Sequence, residues 1–310
     1  MADLNALGLP DLYQRLASGG LVTRLLELAR DEDLGPLGVE GDVTSQAAFP
    51  APTEITASVV ARAPGAIAGL AAIPHLLRLF GGGAAFEAAI PDGQPVHPGA
   101  VLGEIRGPAR HVLAVERTLL NLLGRLSGIA TLTARYASAA APASVYDTRK
   151  TSPGMRALEK YAVRCGGGRL HRLGLYDAAL FKDNHLAGIS IGDLASAVAS
   201  AARQARRAAN SRDQPLSFVE VEVDSLAQFE RLLALEPGLV DIVLLDNMSI
   251  DDLRTAAAMR ARAQSPIVLE ARGGVTLANI REIAATGVER IAVGAITHSA
   301  PALDVALDIA

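Results

Sequence analysis

Charged side chains cluster directly after several short apolar segments in the second half of the chain. They stand in the strings D-T-R-K (147–150), K-D-N-H (182–185), E-V-E (220–222), L-D-N (245–247) and E-A-R-G-G (270–274). If each apolar segment is a strand of one parallel sheet, the carboxyl ends of the strands share an edge, and such folds build active sites there. We therefore expect residues that are far apart in sequence to form one site.

This expected site combines many cations with two acids. Its cationic residues are Arg149, Lys150, His171, Arg172 and Lys182, and its acids are Glu222 and Asp246. In a chain with a net charge of -4, this concentration of cations favours ligands that carry carboxylates or phosphates. The acids suit three other roles, which are to hold a divalent cation beside phosphates, to bind sugar hydroxyls, or to stabilise positive charge on a ribose ring.

Two glycine-containing turns are candidates for a phosphate site. The string R-G-G-V (272–275) precedes a helix predicted to start near Thr276, and V-G-A-I-T-H-S (293–299) follows the last predicted strand. Such turns can direct backbone N–H groups at a phosphate. A glycine pair after a strand is also common in ordinary loops, so the turns alone leave both interpretations open.

Short apolar strands that alternate with amphipathic helices must position these residues. The six predicted strands are Val145–Asp147, Ala179–Lys182, Phe218–Val223, Ile242–Asp246, Ile267–Glu270 and Ile291–Gly294. This alternation predicts parallel strands with right-handed crossovers that close, or nearly close, into a barrel. Six strands are fewer than the eight of a complete barrel. We place this incomplete α/β barrel at residues 141–310.

The first half of the chain has a different pattern, which predicts a mixed α/β domain over residues 1–140. Apolar spacing indicates a helix or helix pair between Asp11 and Ala29, and I-T-A-S-V-V-A (55–61) alternates as a strand, with 65–70 as its expected partner. A short helix is expected from Pro74 to Phe80, and small strands with tight turns over 91–107. The longest helical pattern begins at Pro108 and runs towards Ala139, with a possible break near Ser127 and Gly128.

The composition excludes several other classes of protein. A sequence pI near 5.9 gives no basic surface for nucleic acid. No apolar run approaches the length of a membrane span, and the first residues do not resemble a secretory signal. The single cysteine, Cys165, cannot form an intramolecular disulfide and fits a reducing, cytoplasmic location.

Many strings of this sequence match, in the same order, those of one enzyme family over nearly the whole chain. They include G-D-V-T-S, E-R-T-L-L-N-L-L-G-R-L-S-G-I-A-T, D-T-R-K-T-S-P-G-M-R, E-K-Y-A-V-R-C-G-G-G, H-R-L-G-L-Y-D, K-D-N-H, E-V-E-V, L-D-N-M and V-G-A-I-T-H-S. The chain resembles the quinolinate phosphoribosyltransferases. This resemblance implies a mixed α/β domain followed by an incomplete α/β barrel, quinolinate and phosphoribosyl pyrophosphate as substrates, Mg²⁺ as cofactor, and a homodimer or higher homo-oligomer with a shared active site.

The resemblance also implies individual roles. Arg149, His171 and Arg172 would hold the quinolinate carboxylates, and Arg117 would reach in from a neighbouring subunit. Lys150 and Lys182 would contact the donor or the substrate, while Glu222 and Asp246 would lie near the ribose and bind the magnesium. The turns at Gly273, Gly274 and Gly294 would surround the 5-phosphate.

Two positions depart from the family pattern. Arg272 stands where serine is usual ahead of the two glycines, and it would either turn towards solvent or fold over the phosphate as an extra clamp. Leu170 replaces a small polar residue before His171. The support of that histidine is therefore expected to differ.

Three alternative functions compete with the transferase. A related pyrophosphorylase-like protein associated with molybdenum transport would keep the fold, but the full D-T-R-K-T-S-P-G and T-H-S strings argue against it. A barrel lyase or aldolase would use Lys182 as a Schiff-base amine, which requires a desolvated pocket. A non-catalytic binding protein with a decayed site would explain Arg272.

Overall fold

The computed structural model describes residues 3–309, apart from the side chains of Pro36 and Val39. Its strands in chain order are β1 (Glu54–Ala61), β2 (Gly65–Ala66), β3 (Ala85–Ala88), β4 (Pro95–Val96), β5 (Val101–Pro108), β6 (Ser144–Tyr146), β7 (Ala179–Phe181), β8 (Val219–Val223), β9 (Ile242–Asp246), β10 (Val268–Arg272), β11 (Arg290–Ala292) and β12 (Val305–Ile309).

The α-helices follow the same order. They are α1 (Leu9–Ala17), α2 (Leu21–Leu34), α3 (Val43–Ala48), α4 (Ile73–Leu79), α5 (Ala109–Ala140), α6 (Arg156–Cys165), α7 (Asp183–Leu186), α8 (Leu194–Asn210), α9 (Leu226–Leu233), α10 (Ile250–Arg262), α11 (Ile280–Ala284) and α12 (Ala295–His298). Short 3₁₀ helices cover Leu4–Ala6, Gly35–Gly41 and Leu70–Ala72. Within residues 3–309, none of the helices combines the length and the apolar character that crossing a membrane requires.

The chain divides into two compact units that interleave in sequence. The first consists of residues 1–5, 135–149 and 168–294, and the second of residues 6–134, 150–167 and 295–310. The predicted boundary between residues 140 and 141 stays a prediction. The interleaving has a physical cause, because β12, near the carboxyl end of the chain, pairs antiparallel with β1 and so belongs to the second unit.

The first unit is built on a six-stranded parallel sheet in the order β6-β11-β10-β9-β8-β7. The six predicted strands are thus confirmed, with ends that differ by a few residues. Their apolar side chains are fully buried, as Val221, Val243 and Leu269 show with no exposed surface. Apolar runs of this kind are typical of parallel strands that are covered on both faces.

The second unit contains a four-stranded antiparallel sheet in the order β12-β1-β5-β3 and a two-stranded sheet formed by β2 and β4. The predicted strand at 55–61 is confirmed as β1. The expected pairing of 65–70 with it is wrong, because Gly65 and Ala66 pair with Val96 and Pro95. The predicted amino-terminal helix pair is α1 and α2, which are separated at Gly20, a residue with a φ of 75°.

The long helix α5 is continuous, so the possible break near Ser127 and Gly128 is not present. A glycine occupies position 128 for a packing reason. A Cβ atom there would lie 1.9 Å from the carbonyl oxygen of Pro301, which is closer than any real contact. Gly128 therefore lets the chain around Pro301 approach the helix backbone.

Candidate active site

The carboxyl edge of the six-stranded sheet brings four charged side chains together from four neighbouring strands. Lys182 directly follows β7, and β8, β9 and β10 place Glu222, Asp246 and Arg272 at or beside their last residues. Register accounts for part of this arrangement, because Arg272 pairs with Asp246 across two parallel strands. We call these four residues the edge cluster.

Ion pairs join the members of the edge cluster. Arg272 Nη1 donates to Glu222 Oε2 at 2.7 Å, and Lys182 Nζ donates to the same oxygen at 3.0 Å. Arg272 Nε lies 3.8 Å from Asp246 Oδ1. Burial raises the pKa of Asp246, Arg272 opposes this rise, and the charge of Glu222 adds to it.

Carboxylates are the partners of the Arg272 side chain in this structure. Its guanidinium is directed at Glu222 and Asp246, and 24% of the side chain is exposed. A role in binding phosphate therefore requires the guanidinium to exchange a carboxylate partner for a phosphate, and that role stays a prediction.

The glycine turn after β10 has one crowded and one open position. Gly273 has a φ of 96°, and a Cβ on it would lie 2.1 Å from Asn247 Oδ1 and 2.9 Å from Asn247 N. Gly274 has a φ of 57°, and its Cβ would meet nothing within 4 Å. Only glycine fits at 273, because the turn packs on the backbone after Asp246, whereas the backbone at 274 has an open side.

The helix predicted near Thr276 begins later, at Ile280. Asn279 explains the delay. Its Oδ1 accepts a hydrogen bond from the Thr276 N–H at 2.8 Å, and its Nδ2 donates to the Gly274 carbonyl at 3.0 Å. The segment is consequently a turn closed by a side chain, and the turn fixes the orientation of the Gly274 peptide.

A second group of charges lies buried in the same unit. It consists of His171, Glu220, Glu270 and Arg290, and we call it the buried cluster. His171 Nε2 is 2.8 Å from Glu220 Oε2 and 3.6 Å from Glu270 Oε1, while Arg290 Nε donates to Glu270 Oε2 at 2.6 Å. Both glutamates are completely buried.

Hydrogen bonds determine the tautomer of His171. Its Nδ1 accepts the N–H of Arg172 at 2.8 Å, so the neutral ring carries its proton on Nε2 and donates it to Glu220. Both ring nitrogens therefore face protein groups. The predicted contact of His171 with a quinolinate carboxylate stays a prediction, and in this structure the ring fixes the turn that precedes Arg172.

The side chains of Asp147 and Asn5 hold the backbone of the same turn through hydrogen bonds. Asp147 Oδ1 accepts from the His171 N–H at 2.8 Å, and Asn5 brackets Leu170, accepting from its N–H at 2.7 Å and donating to its carbonyl at 3.0 Å. The side chain of Leu170 is buried. The support of His171 therefore comes from Asp147 and from the amino-terminal segment.

Burial shifts the protonation of the two glutamates. It raises the pKa of Glu220 to about 7, against the opposing charges of Arg290 and Arg172. The pKa of Glu270 is also raised, first by burial and then by repulsion from Glu220. One oxygen of each carboxylate is buried without a hydrogen-bond partner. Two desolvated acids that face each other favour uptake of a proton.

The two arginines predicted to bind carboxylates lie within electrostatic range of each other. Burial, and next the charge of Arg149, lowers the pKa of Arg172. Arg149 is exposed, whereas Arg172 is buried and donates to the carbonyl of Ala178 at 3.2 Å. Two neighbouring cations of this kind are suited to a ligand with two carboxylates.

Three other predicted residues belong to neither of the two named clusters. Arg117 is exposed on α5, and Lys150, whose carbonyl accepts from Thr297 Oγ1 at 2.8 Å, is exposed in the same unit. Gly294 follows β11 in the six-stranded unit. The roles of all three in binding stay predictions.

The sequence placed Glu220 and Glu270 within the charged strings of the expected site without a role for either, and Arg290 was missed. Strand alternation was the available signal, since Glu220 and Glu222 in V-E-V-E-V must share one face of β8. The same rule places Glu270 on the face of Arg272. The alternation rule gave no such signal for Arg290, because this residue is the first of a strand of only three residues.

A cavity of about 310 Å³ opens beside the edge cluster. Glu222, Asp246, Asp224 and Asp183 line it together with apolar side chains such as Ile191. The cavity offers acids and apolar surface rather than further cations. It therefore suits the uncharged part of a ligand better than its phosphates.

The predicted metal ligands do not fit a divalent cation as they stand. Glu222 and Asp246 both face Arg272, and Glu222 already accepts from Lys182. Among residues 3–309, the group of three His, Asp or Glu side chains with closely spaced ligand atoms is His171, Glu220 and Glu270. Arg290 occupies one carboxylate of that group. In both the edge cluster and the buried cluster, the charges of the acids are therefore balanced by cationic side chains.

Known proteins resemble the chain over nearly all of its length. A family model described as "Quinolinate phosphoribosyl transferase, N-terminal domain" matches residues 42–127, and the corresponding C-terminal-domain model matches residues 129–308. The chain is 44% identical over 272 residues to a nicotinate-nucleotide pyrophosphorylase (carboxylating) of Mycobacterium leprae, covering 86% of this chain and 91% of that protein. It is 37% identical over 280 residues to a probable enzyme of the same name in Bacillus subtilis, covering 90% of each.

Solved structures agree with these matches. NadC from Streptococcus pyogenes superimposes with a TM-score of 0.81 at 33% identity, covering 93% of this chain and 97% of that one. The nicotinate-nucleotide pyrophosphorylase from Francisella tularensis gives a TM-score of 0.81 at 32% identity and covers both chains completely.

Proposed function

Because this chain belongs to the quinolinate phosphoribosyltransferase family, we propose that the carboxyl edge of its six-stranded sheet brings quinolinate and phosphoribosyl pyrophosphate together. The chain is an enzyme of NAD biosynthesis. It transfers the phosphoribosyl group to quinolinate and releases pyrophosphate and carbon dioxide, leaving nicotinate mononucleotide. The observation that carries the assignment of the site is the edge cluster, where four strands deliver two cations and two acids to one place.

We assign recognition of quinolinate to Arg149 and Arg172. Two guanidinium groups near each other match two adjacent carboxylates on a pyridine ring. His171 holds the backbone before Arg172 and so acts through that residue. Arg117, from a neighbouring subunit, completes the cationic surround in this proposal.

The edge cluster receives the ribose in this proposal. Departure of pyrophosphate leaves positive charge on the anomeric carbon, and the carboxylates of Glu222 and Asp246 stabilise it. The ring nitrogen of quinolinate then bonds to that carbon and becomes positively charged. The C–C bond to the 2-carboxylate then breaks and carbon dioxide departs. The electron pair stays on ring carbon 2, where the adjacent positive nitrogen stabilises it, and a proton from water completes nicotinate mononucleotide. Positioning of the two substrates supplies much of the rate, and no step uses a metal held by the protein.

The open side of the glycine turn receives the 5-phosphate. The backbone at Gly274 is unobstructed, and the Asn279 bonds hold it in place. Backbone N–H groups bind phosphate without needing the serine hydroxyl that Arg272 replaces. Lys150, Lys182 and Gly294 complete the contacts of the donor in this proposal.

The test of this function is formation of nicotinate mononucleotide from quinolinate, with nicotinate as the control substrate. Quinolinate should react and nicotinate should not, because the arginine pair recognises two carboxylates and the reaction removes one. Equal turnover of nicotinate would sink the assignment. The lyase alternative is tested in the same preparation, since borohydride would trap a Schiff base on Lys182 only if that alternative held.

We further propose a homodimer or larger homo-oligomer whose active site is shared between subunits. Exposed Arg117 supports this, because an arginine on the surface of α5 can serve a partner's site. Mixing an Arg117→Ala chain with a Lys182→Ala chain should restore part of the activity by building intact sites in mixed oligomers. Absence of recovery, despite demonstrated subunit exchange, would contradict a shared site.

A cytoplasmic location also belongs to the proposal. The support is the single cysteine, which is buried as a free thiol. Cell fractionation with an antibody against the chain tests it, and recovery of the enzyme outside the cytoplasmic fraction would contradict it.

A further inference from the structure

The guanidinium of Arg272 sits where the two acids of the edge cluster converge. It donates to Glu222 Oε2 at 2.7 Å, and its Nε is 3.8 Å from Asp246 Oδ1. The two carboxylates are only 12% and 23% exposed. A cation in this place serves both acids at once, which is the position that a bridging metal ion would require.

Charge repulsion opposes a second cation at the same place. A divalent ion here would lie a few ångströms from Arg272 and also close to Lys182, which bonds to the same oxygen of Glu222. Like charges at such distances repel strongly in a half-buried setting. Loss of charge does not relieve the repulsion, because a guanidinium group keeps its positive charge in proteins. Only movement of the side chain could make room.

The ligand supply is also poor for a metal. Divalent ions such as Mg²⁺ need about six oxygen ligands in a regular arrangement. Asp246 Oδ2 accepts a hydrogen bond from Asn247 Nδ2 at 2.7 Å, and Glu222 Oε2 already has two donors. Each acid therefore has one of its oxygens committed to donors of the protein.

We propose that Arg272 takes the place of a protein-held divalent cation between Glu222 and Asp246. The ligand-free enzyme consequently binds no metal at this acid pair. The part of this inference that concerns turnover rests on the proposed function: a divalent ion enters the site only on the pyrophosphate of the donor. The part that concerns the free protein rests on the contacts of Arg272 alone.

Binding of Mn²⁺ to the full-length, ligand-free protein tests the inference. Electron paramagnetic resonance of unbound Mn²⁺ counts the sites, and Mn²⁺ prefers the same carboxylate ligands as Mg²⁺. The parent should show no site per chain up to about 1 mM, the range of the weakest carboxylate sites. Arg272→Ser should create one Mn²⁺ site per chain, because the repelling charge is removed. Its dissociation constant should be at least about tenfold below the 1 mM limit set for the parent.

Matched variants separate charge from other effects. Arg272→Lys keeps the cation and should still lack the site, and Arg254→Ser, which removes an exposed arginine paired with Asp251, should behave as the parent does. Adding Glu222→Gln to Arg272→Ser should abolish the new site. Unfolding temperatures of all variants confirm that each is folded when Mn²⁺ is added.

Two results would overturn the proposal. One is a Mn²⁺ site in the parent that Glu222→Gln removes. The other is a folded Arg272→Ser protein with no new site, which would show that the arginine is not what excludes the metal. Neither result depends on catalysis. Failure of the parent protein to convert quinolinate would contradict the proposed function, but the conclusion from Mn²⁺ binding would still hold.

Discussion

The edge cluster and the buried cluster share strands β8 and β10 but differ in solvent exposure. On β8, Glu222 belongs to the edge cluster and Glu220, two residues earlier, belongs to the buried cluster; on β10, Arg272 and Glu270 are related in the same way. Side chains of the edge cluster keep 12–31% of their surface exposed, whereas both buried glutamates keep none. A shift of two residues along a strand therefore separates charges that a ligand can rearrange from charges that are fixed by burial.

This difference predicts that the same arginine-to-methionine substitution costs much more stability in the buried cluster than in the edge cluster. Arg290→Met leaves buried Glu270 without its ion-pair partner and removes a positive charge that favours the ionised form of Glu220. It should lower the free energy of unfolding by about 3–5 kcal/mol at pH 8. Arg272→Met removes a partly exposed pair, and Glu222 keeps Lys182, so its cost should stay under about 1 kcal/mol. Urea unfolding measures both values. Equal losses in the two variants would erase the distinction between the clusters.

Catalytic activity, unlike stability, should depend strongly on the edge cluster. Lys182→Met should lower kcat/KM by about 100-fold, a typical loss when one charged group at a developing charge is removed. Its free energy of unfolding should change by less than about 1 kcal/mol, because 31% of the lysine side chain is exposed. Steady-state kinetics and urea unfolding of one preparation provide both numbers. If the Lys182→Met protein had the kinetic constants of the parent, Lys182 would have no role in the active site.

The pH dependence of stability sharpens the comparison further. The pKa of Glu220 is about 7 in the folded protein and 4.5 in its reference state. Between these values the folded chain binds more protons than the unfolded chain, so this residue makes stability fall as pH rises from about 4.5 to about 7. Glu220→Gln should remove that fall, because an amide does not titrate and its oxygen can still accept from His171.

The matched control is Glu270→Gln. It weakens the acceptor of Arg290, which lies 2.6 Å away, and should lower stability at acidic and neutral pH alike. Denaturant titrations at pH 5, 6, 7 and 8 distinguish the two variants. A parental pH profile in the Glu220→Gln protein would assign the titration to another group.

The sequence predicted the strands well, because their signal is local. Buried parallel strands are apolar runs between turns, and the six segments stand out for that reason. The family resemblance likewise identified Lys182, Glu222 and Asp246 as neighbours. The pairing of 65–70 failed because strand partners are chosen by tertiary packing, here with Val96, and local alternation carries no information about them.

The sequence could not predict the direction of the Arg272 side chain. A long, flexible cation has several acids and phosphates within reach, and the choice depends on how β8, β9 and β10 are staggered. The tautomer of His171 was equally inaccessible, because it depends on one backbone N–H in the next residue. Spacing within a motif identifies residue types for a site, whereas hydrogen bonds between distant segments determine what each residue does.

The most direct measurement of the central claim follows the fate of the 2-carboxylate. Quinolinate labelled with ¹³C at that carboxylate, incubated with phosphoribosyl pyrophosphate and the enzyme, should release labelled carbon dioxide in equal amount to pyrophosphate and nicotinate mononucleotide. Without the donor there should be no release, because the carbanion at ring carbon 2 is stabilised only after the nitrogen has become positively charged by bonding to ribose. Labelled carbon dioxide released without the donor, or a labelled mononucleotide that keeps its carboxylate, would contradict the account.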